Sequence, residues 1–268
     1  MPASRLLSSA TPARDALAGT VPLHRACVLL HTHTPPSTYP ARSKSPLWRE
    51  LTLKGRAIGA VPNFAWAPQQ EVHPGYAGLG ETGEEGEEAY VASVFLQGRP
   101  VPLRVPEVTL ANTDAVLARI GAQLESNHDG RNGGMEESDR KKAMPNLHLY
   151  VCTHGSRDCR CGDQGSAVAR ALRNEVARRG LGGDVFVGDV AHVGGHKYAA
   201  NVLVFPTGDW LGTVQDFDAP HILDEILARH SGSGVLAHTS APPLCPPFWR
   251  GRMGLDKDEQ LALMAAAS

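Results

Sequence analysis

Apolar positions in the second half of the chain change period in a regular order. Residues 147–152 (LHLYVC) form a short apolar run, the mark of a buried strand. Across 165–179 (GSAVARALRNEVARR), Val168, Leu172 and Val176 recur one helical turn apart with charges opposite, which predicts an amphipathic helix stopped by Gly180. Residues 184–190 (DVFVGDV) predict another strand, and 201–214 (NVLVFPTGDWLGTV) predict two strands around the turn Pro206-Thr207-Gly208-Asp209. Asp218-Ala219-Pro220 opens a last helix through Ile222, Ile226 and Leu227, with proline near the first turn, where its missing N–H costs nothing.

The first half repeats this order more loosely. Residues 26–31 (ACVLLH) predict a strand, and Ser45-Pro46 opens a helix through Leu47, Leu51 and Leu53. Residues 89–105 predict a hairpin broken at Gln97-Gly98, and 112–124 a closing helix. Strand, helix, strand, hairpin, helix is the order of a thioredoxin-like layer. The expected fold class is therefore α/β, with two tandem thioredoxin-like units, the second carrying the metal site. The expected domains are a leader over 1–20, a degenerate unit over 21–124, a linker over 125–146, a second unit over 147–232 and a C-terminal extension over 233–268. Residues 125–146 are polar, Gly-rich and charged in both signs, as a solvated linker is, and the acidic stretch 80–88 (GETGEEGEE) reads as a solvated loop.

Composition narrows the function. With 42% hydrophobic residues, 20% charged residues and a net charge of −2, the 268-residue chain has the material for real cores and no massed basic residues, which excludes a nucleic-acid partner. No apolar run reaches the roughly 20 residues that span a bilayer, so no membrane partner is expected. Three of the five cysteines (Cys152, Cys159, Cys161) lie within ten residues, which points to a reducing compartment and a metal or redox site rather than a disulfide framework. The first fourteen residues carry Arg5, Arg14 and four hydroxyl side chains with no acid, a composition shared by mitochondrial transit peptides and by free termini. They lack the apolar core of a secretory signal. The expected location is mitochondrion or cytoplasm.

The candidate chemistry sits at strand ends. Cys152 closes a predicted strand, Cys161 follows eight intervening residues later, and His192-Val-Gly-Gly-His196 comes after the next strand. Two histidines four apart would suit a zinc protease, but the paired glycines argue for a loop and no Glu follows His192. Two cysteines and two histidines suit zinc or a [2Fe–2S] cluster. The eight-residue gap is long for structural zinc, and the Cys152-Thr-His154 half-motif of a Rieske centre lacks its second half.

Cys152-x8-Cys161 followed by His192-Val-Gly-Gly-His196-Lys-Tyr-Ala-Ala-Asn201 resembles the thioredoxin-like ferredoxin family, also called sucrase/ferredoxin-like and well populated in fungi. The likeness extends from about Asp15 to the end of the chain, including Asn63-Phe-Ala-Trp66 and Trp249-Arg-Gly-Arg-Met-Gly254. Several members of that family hold a non-Rieske [2Fe–2S] cluster through two cysteines and two histidines. The resemblance thus implies Cys152, Cys161, His192 and His196 as ligands of a [2Fe–2S] cofactor. Some members end in a tryptophan thought to help cluster delivery, whereas this chain ends Ala-Ala-Ser268. The polar run Arg157-Asp158-Cys159-Arg160 further implies that the two cysteine ligands are not core thiols.

Around those four, His154 is expected to donate to a cluster sulfur or to backbone, with ligand exchange the rival to these two roles, and Gly194 and Gly195 to bring backbone close. Lys197 is expected to add a positive charge favouring the reduced state, and Cys159 to be a non-ligand, a spare or redox thiol beside Arg157 and Arg160, the alternatives being ligation in place of Cys161 or a Cys159–Cys161 disulfide. His31, His33, Cys27, Cys245 and the four tryptophans read as structural. Trp249 beside Arg250 and Arg252 also reads as a partner surface, and the pair Arg250 and Arg252 equally as a solvated turn. The expected function is a proton-coupled, non-enzymatic electron carrier with an unknown redox partner protein. The alternatives are a thiol–disulfide oxidoreductase using Cys152, Cys159 and Cys161, and a zinc-stabilised interaction module.

Overall fold

The computed structural model describes residues 17–75, 88–126, 147–233 and 239–267. The leader 1–14, the acidic stretch 80–87 and most of the linker expected over 125–146 lie outside the described residues. The first half holds β1 (Ala26–His31), α1 (Pro46–Gly55), β2 (Ala60–Trp66), β3 (Tyr90–Leu96), β4 (Leu103–Val108) and α2 (Thr113–Ser126). The second holds β5 (Leu147–Cys152), α3 (Ser166–Arg178), β6 (Val185–Val190), β7 (Val202–Phe205), β8 (Asp209–Leu211) and α4 (Ala219–Ser233). A short strand β9 (Trp249–Arg252) and a helix α5 (Lys257–Ala266) complete the chain.

The nine strands of the described residues join one sheet in the order β4-β3-β1-β2-β6-β5-β7-β8-β9. In each half the first two strands are parallel and the hairpin is antiparallel to the first strand, the order of a thioredoxin-like unit. The protein is thus α/β with two such units in tandem. The halves meet edge to edge where β2 and β6 run antiparallel, with Ala65 opposite Val190 and Trp66 opposite Asp189.

The sequence pattern does not place the second strand of the first half. Pro62 lies within β2, and proline cannot donate to a sheet ladder. It is tolerated because β6 pairs with only the last two residues of β2, leaving most of that edge free. Leu53, expected on the buried face of α1, is instead exposed, while Leu47 and Leu51 are buried. The C-terminal extension, for which no elements were predicted, adds β9 to the edge of β8.

Strand side chains alternate between two faces. In β5, Leu147, Leu149 and Val151 pack with Val168, Leu172 and Ile222 of the helices, whereas Tyr150 and Cys152 face the other way. In β1, Val28 and Leu30 pack with Leu47 and Leu51, whereas Cys27 and Leu29 join Tyr150 and Cys152. The second faces of the two halves therefore share one inner cluster. Phe95 of β3 stacks on Phe205 of β7 with ring centres 4.0 Å apart, although these strands are not neighbours in the sheet. The sheet is curled so that its halves face each other across this layer. Burying each such ring contributes about 1.5–3 kcal/mol.

Candidate metal centre

Cys152 ends β5, and its amide N–H donates to the Asn201 carbonyl at 3.0 Å. The chain then leaves the sheet through the polar stretch 153–160 and at Cys161 enters a single π-helical turn (Cys161–Gly165) that runs into α3. Gly165 lets this turn lie against the end of β5, because a β-carbon there would fall 2.0 Å from the Cys152 carbonyl oxygen. His192 follows β6. Its position is set by the seam between the halves: the Ala191 amide donates to the Phe64 carbonyl at 2.9 Å, and the Asn63 side-chain amide donates to the Ala191 carbonyl at 3.2 Å.

These three elements bring one donor atom each from Cys152, Cys161 and His192 to within 4.8 Å of one another. The Cys161 sulfur lies 3.9 Å from Nδ1 of His192. The His196 ring stacks beside that of His192 with centres 5.6 Å apart, half exposed and 4.0 Å from the Asp158 carboxylate. His196 thus lies at the solvent side of the group rather than inside the tight triad. The donor set suits a soft metal centre: two thiols, one imidazole among them and a second imidazole at the rim.

Both cysteines are 1% exposed and belong to the inner apolar cluster. This corrects the expectation that the polar run beside them would keep them from the core. Arg157, Cys159 and Arg160 turn to solvent, while the π turn rolls Cys161 inward. Hydrogen bonding from the Cys161 thiol holds the Cys152 pKa below the ordinary thiol value, against the opposing effect of burial, with help from the Val193 and His154 amides and the Arg250 charge. Cys161 is pushed up by the adjacent Cys152 sulfur and by burial, and His192 pulls it the other way. One sulfur is therefore disposed to carry negative charge first.

The first half buttresses the site. Nε2 of His154 donates to the Pro40 carbonyl at 2.9 Å, and the His154 ring meets Tyr39 edge-on with centres 5.8 Å apart. Its Nδ1 accepts from the His192 amide at 3.3 Å. His154 therefore acts on backbone, the second of the two roles expected for it. Burial lowers its pKa. A cavity of about 450 Å³ opens between the halves, with Trp48, Phe64, His154 and His192 in its walls.

Other predicted residues are placed as follows. Cys159 is exposed, and all five cysteines are free thiols. Lys197 is exposed, with its ammonium 4.7 Å from the centre of the Tyr198 ring. Gly194 and Gly195 both adopt positive φ (84° and 67°), a turn that glycine makes without strain. His31 is buried and bonds to the Glu71 carbonyl and the Ser93 hydroxyl. Cys27 is buried, which pushes its thiol up to about 12.

Trp249 packs in the interior, as expected of the four tryptophans, whereas the reading of Arg250 and Arg252 as a partner surface beside it or a solvated turn is overturned. The exposures of the three are 0%, 2% and 1%. Both Arg252 and the Trp249 indole N–H reach the buried Asp209 carboxylate, so the strand forms an internal polar link instead of a docking face. Arg250 runs beneath the His192–His196 loop, a role the sequence pattern did not reveal. The available signal was Arg-Gly-Arg between apolar residues, which solvated turns also show.

The sucrase/ferredoxin-like family model matches residues 17–251. The chain belongs to the sucrase/ferredoxin-like family. Among curated relatives of this family member, Altered inheritance of mitochondria protein 32 of Meyerozyma guilliermondii is 40% identical over 84 residues, covering 30% of each chain. Actin patches distal protein 1 of Saccharomyces cerevisiae is 32% identical over 97 residues, covering 32% of this chain and 31% of that one. The match thus spans less than a third of either relative. The thioredoxin-like [2Fe–2S] ferredoxin of Aquifex aeolicus aligns with 40% of this chain and 97% of its own, at 20% identity and a TM-score of 0.29.

Proposed function

We propose that this sucrase/ferredoxin-like protein binds a [2Fe–2S] cluster through Cys152, Cys161, His192 and His196 and serves as a one-electron carrier to a partner protein. The observation that carries it is the convergence of the Cys152, Cys161 and His192 donor atoms from separate elements within 4.8 Å. His196, half exposed beside His192, supplies the fourth position. Such a cluster would accept and release single electrons. The chain's part is to position it, shield it and tune its charge. Burial of both cysteines keeps solvent from the sulfurs, while the more exposed histidine side gives electrons a short way in and out. A ligating imidazole keeps a proton on its second nitrogen, so reduction couples to protonation.

A thiol–disulfide reading has one observation in its favour, the contact between Cys152 and Cys161 with the Cys152 pKa lowered. Against it, Cys152 and Cys161 are 1% exposed, which leaves Cys159 as the one thiol of the three open to a client disulfide. Zinc bound without sulfide is the remaining alternative.

Mitochondrion or cytoplasm is the proposed location. The relatives named for altered inheritance of mitochondria support the former. No helix among the described residues is long and apolar enough to cross a membrane.

Anaerobic purification followed by iron, acid-labile sulfide and EPR measurement tests the proposal. The expected result is two irons and two sulfides per chain and a reduction potential that falls with rising pH. Zinc without sulfide would rule the proposal out, and a potential flat across the alkaline range would remove the histidine ligands.

A further inference from the structure

Arg250 is 2% exposed. Its Nε donates to the Thr20 hydroxyl at 3.0 Å, Nη2 to the Thr20 carbonyl at 3.1 Å, and Nη1 to the Asn201 side-chain oxygen at 2.7 Å and the Gly194 carbonyl at 3.5 Å. The guanidinium also lies over the Tyr198 and Trp210 rings, 4.9 and 5.8 Å from their centres. None of these partners carries a negative charge, and among the described residues no carboxylate lies within ion-pair distance. Arg252, two residues further on, pairs with Asp209 at 2.8 Å. Enclosing a cation without a counter-charge is costly, by several kcal/mol in general, and in such an enclosed place its attraction for a negative charge arising nearby is little screened.

The slot around Arg250 is built to hold it. A β-carbon on Gly195 would fall 2.4 Å from Nη2, and one on Gly212 would fall 2.6 Å from Cδ. Two of its neighbours thus lack side chains where the guanidinium passes. The turn it supports, Gly194-Gly195, is the one that joins His192 to His196. Its charge interacts electrostatically with the Tyr198 hydroxyl and with the Cys152 sulfur, and of these two Cys152 belongs to the proposed ligand set. Burial lowers the Arg250 pKa to about 10, so the side chain stays a cation at neutral pH. Lys197, the charge singled out from sequence, sits in solvent, where water and salt screen it.

We propose that Arg250 is a positioning residue that supplies the buried positive charge of the metal centre, favouring its reduced state from beneath the His192–His196 turn. The inference rests on the cluster reading above. One-electron reduction adds one negative charge at the centre, and Arg250 stabilises that charge without giving up its proton.

The test is a mediator-poised redox titration of the purified full-length holoprotein, followed by EPR, comparing wild type with Arg250→Met, Arg250→Lys and Thr20→Asp. Arg250→Met is expected to lower the reduced-to-oxidised ratio at a given poise roughly tenfold, about 59 mV for a one-electron couple. Arg250→Lys is expected to stay within about twofold of wild type, with the same EPR signature. Thr20→Asp keeps the arginine and sets a carboxylate beside it, so it shifts the ratio the same way as Arg250→Met and gives the answer should Arg250→Met fail to fold. Equal potentials in wild type and Thr20→Asp would overturn the charge role while leaving the cluster intact. Equal losses in Arg250→Lys and Arg250→Met, with an altered EPR signature, would overturn it in favour of a purely structural role. Wild-type protein lacking iron and sulfide would instead overturn the cluster reading itself.

Discussion

The backbone N–H of His192 donates to Nδ1 of His154 at 3.3 Å, which ties the loop after β6 to the loop after β5. Because the Pro40 carbonyl can only accept, Nε2 of His154 carries the ring proton and Nδ1 is left as the acceptor. His154 is thus a neutral strut between the first half of the chain and the backbone of a proposed ligand, with both ring nitrogens engaged. Groups that orient ligands in this way typically change metal affinity 10–100-fold when removed.

For His154→Ala, the expectation is a metal centre lost roughly tenfold faster to a chelator, followed through visible absorbance. Loss at the wild-type rate would show that the strut is dispensable.

The three clustered cysteines should separate cleanly. Cys152→Ser and Cys161→Ser are expected to purify without iron, whereas Cys159→Ser, altered at an exposed side chain, keeps wild-type iron and sulfide. If Cys159→Ser loses its iron, the assignment of the second thiolate to Cys161 is wrong. If it keeps its iron but loses activity towards disulfide clients, the thiol-exchange reading gains.

The buried pair Arg252–Asp209 anchors β9 to β8 at 2.8 Å, with the Trp249 indole N–H on the same carboxylate. Asp209→Asn strands the Arg252 charge and is expected to cost about 3–5 kcal/mol in urea unfolding. Asp209→Asn combined with Arg252→Met removes the stranded charge and should recover part of that loss. A double variant no more stable than the single one would mean that the cost lies in packing and not in charge.

Acid sensitivity should come in part from His31. Burial is the main cause that holds its pKa down to about 4. The folded state keeps the ring neutral, with Nδ1 donating to the Glu71 carbonyl and Nε2 accepting from Ser93. The unfolded chain protonates it near the ordinary imidazole value of about 6.5. Between these values the unfolded state binds more protons, so this contribution is complete above the upper one and lost as pH falls through the lower one. The expected loss is on the order of 2 kcal/mol at about pH 5. His31→Gln should flatten that slope when urea unfolding is compared at neutral and acid pH. An unchanged slope would assign the acid limb to other groups, such as the buried His24, whose pKa burial also lowers.

What the sequence determined by itself was local. Helix and strand periods placed β1, β5, β6, α3 and the start of α4 within a residue or two, since each is fixed by its own apolar spacing and end signals. The cysteine and histidine spacing also pointed to Cys152, Cys161 and His192, whose donor atoms converge, because strand ends of an α/β sheet lie at one edge whatever the loops do.

Only the tertiary structure decided the rest. It joined β2 to β6, curled the two halves onto a shared inner face and thereby buried Cys152 and Cys161 beneath an otherwise polar loop. It also drew Arg250 from a segment that looks solvated into an enclosed slot under the histidine turn. Burial of this kind depends on which surfaces meet across the chain. A period of two or of 3.6 residues tells which face is apolar, but not which distant segment will cover it.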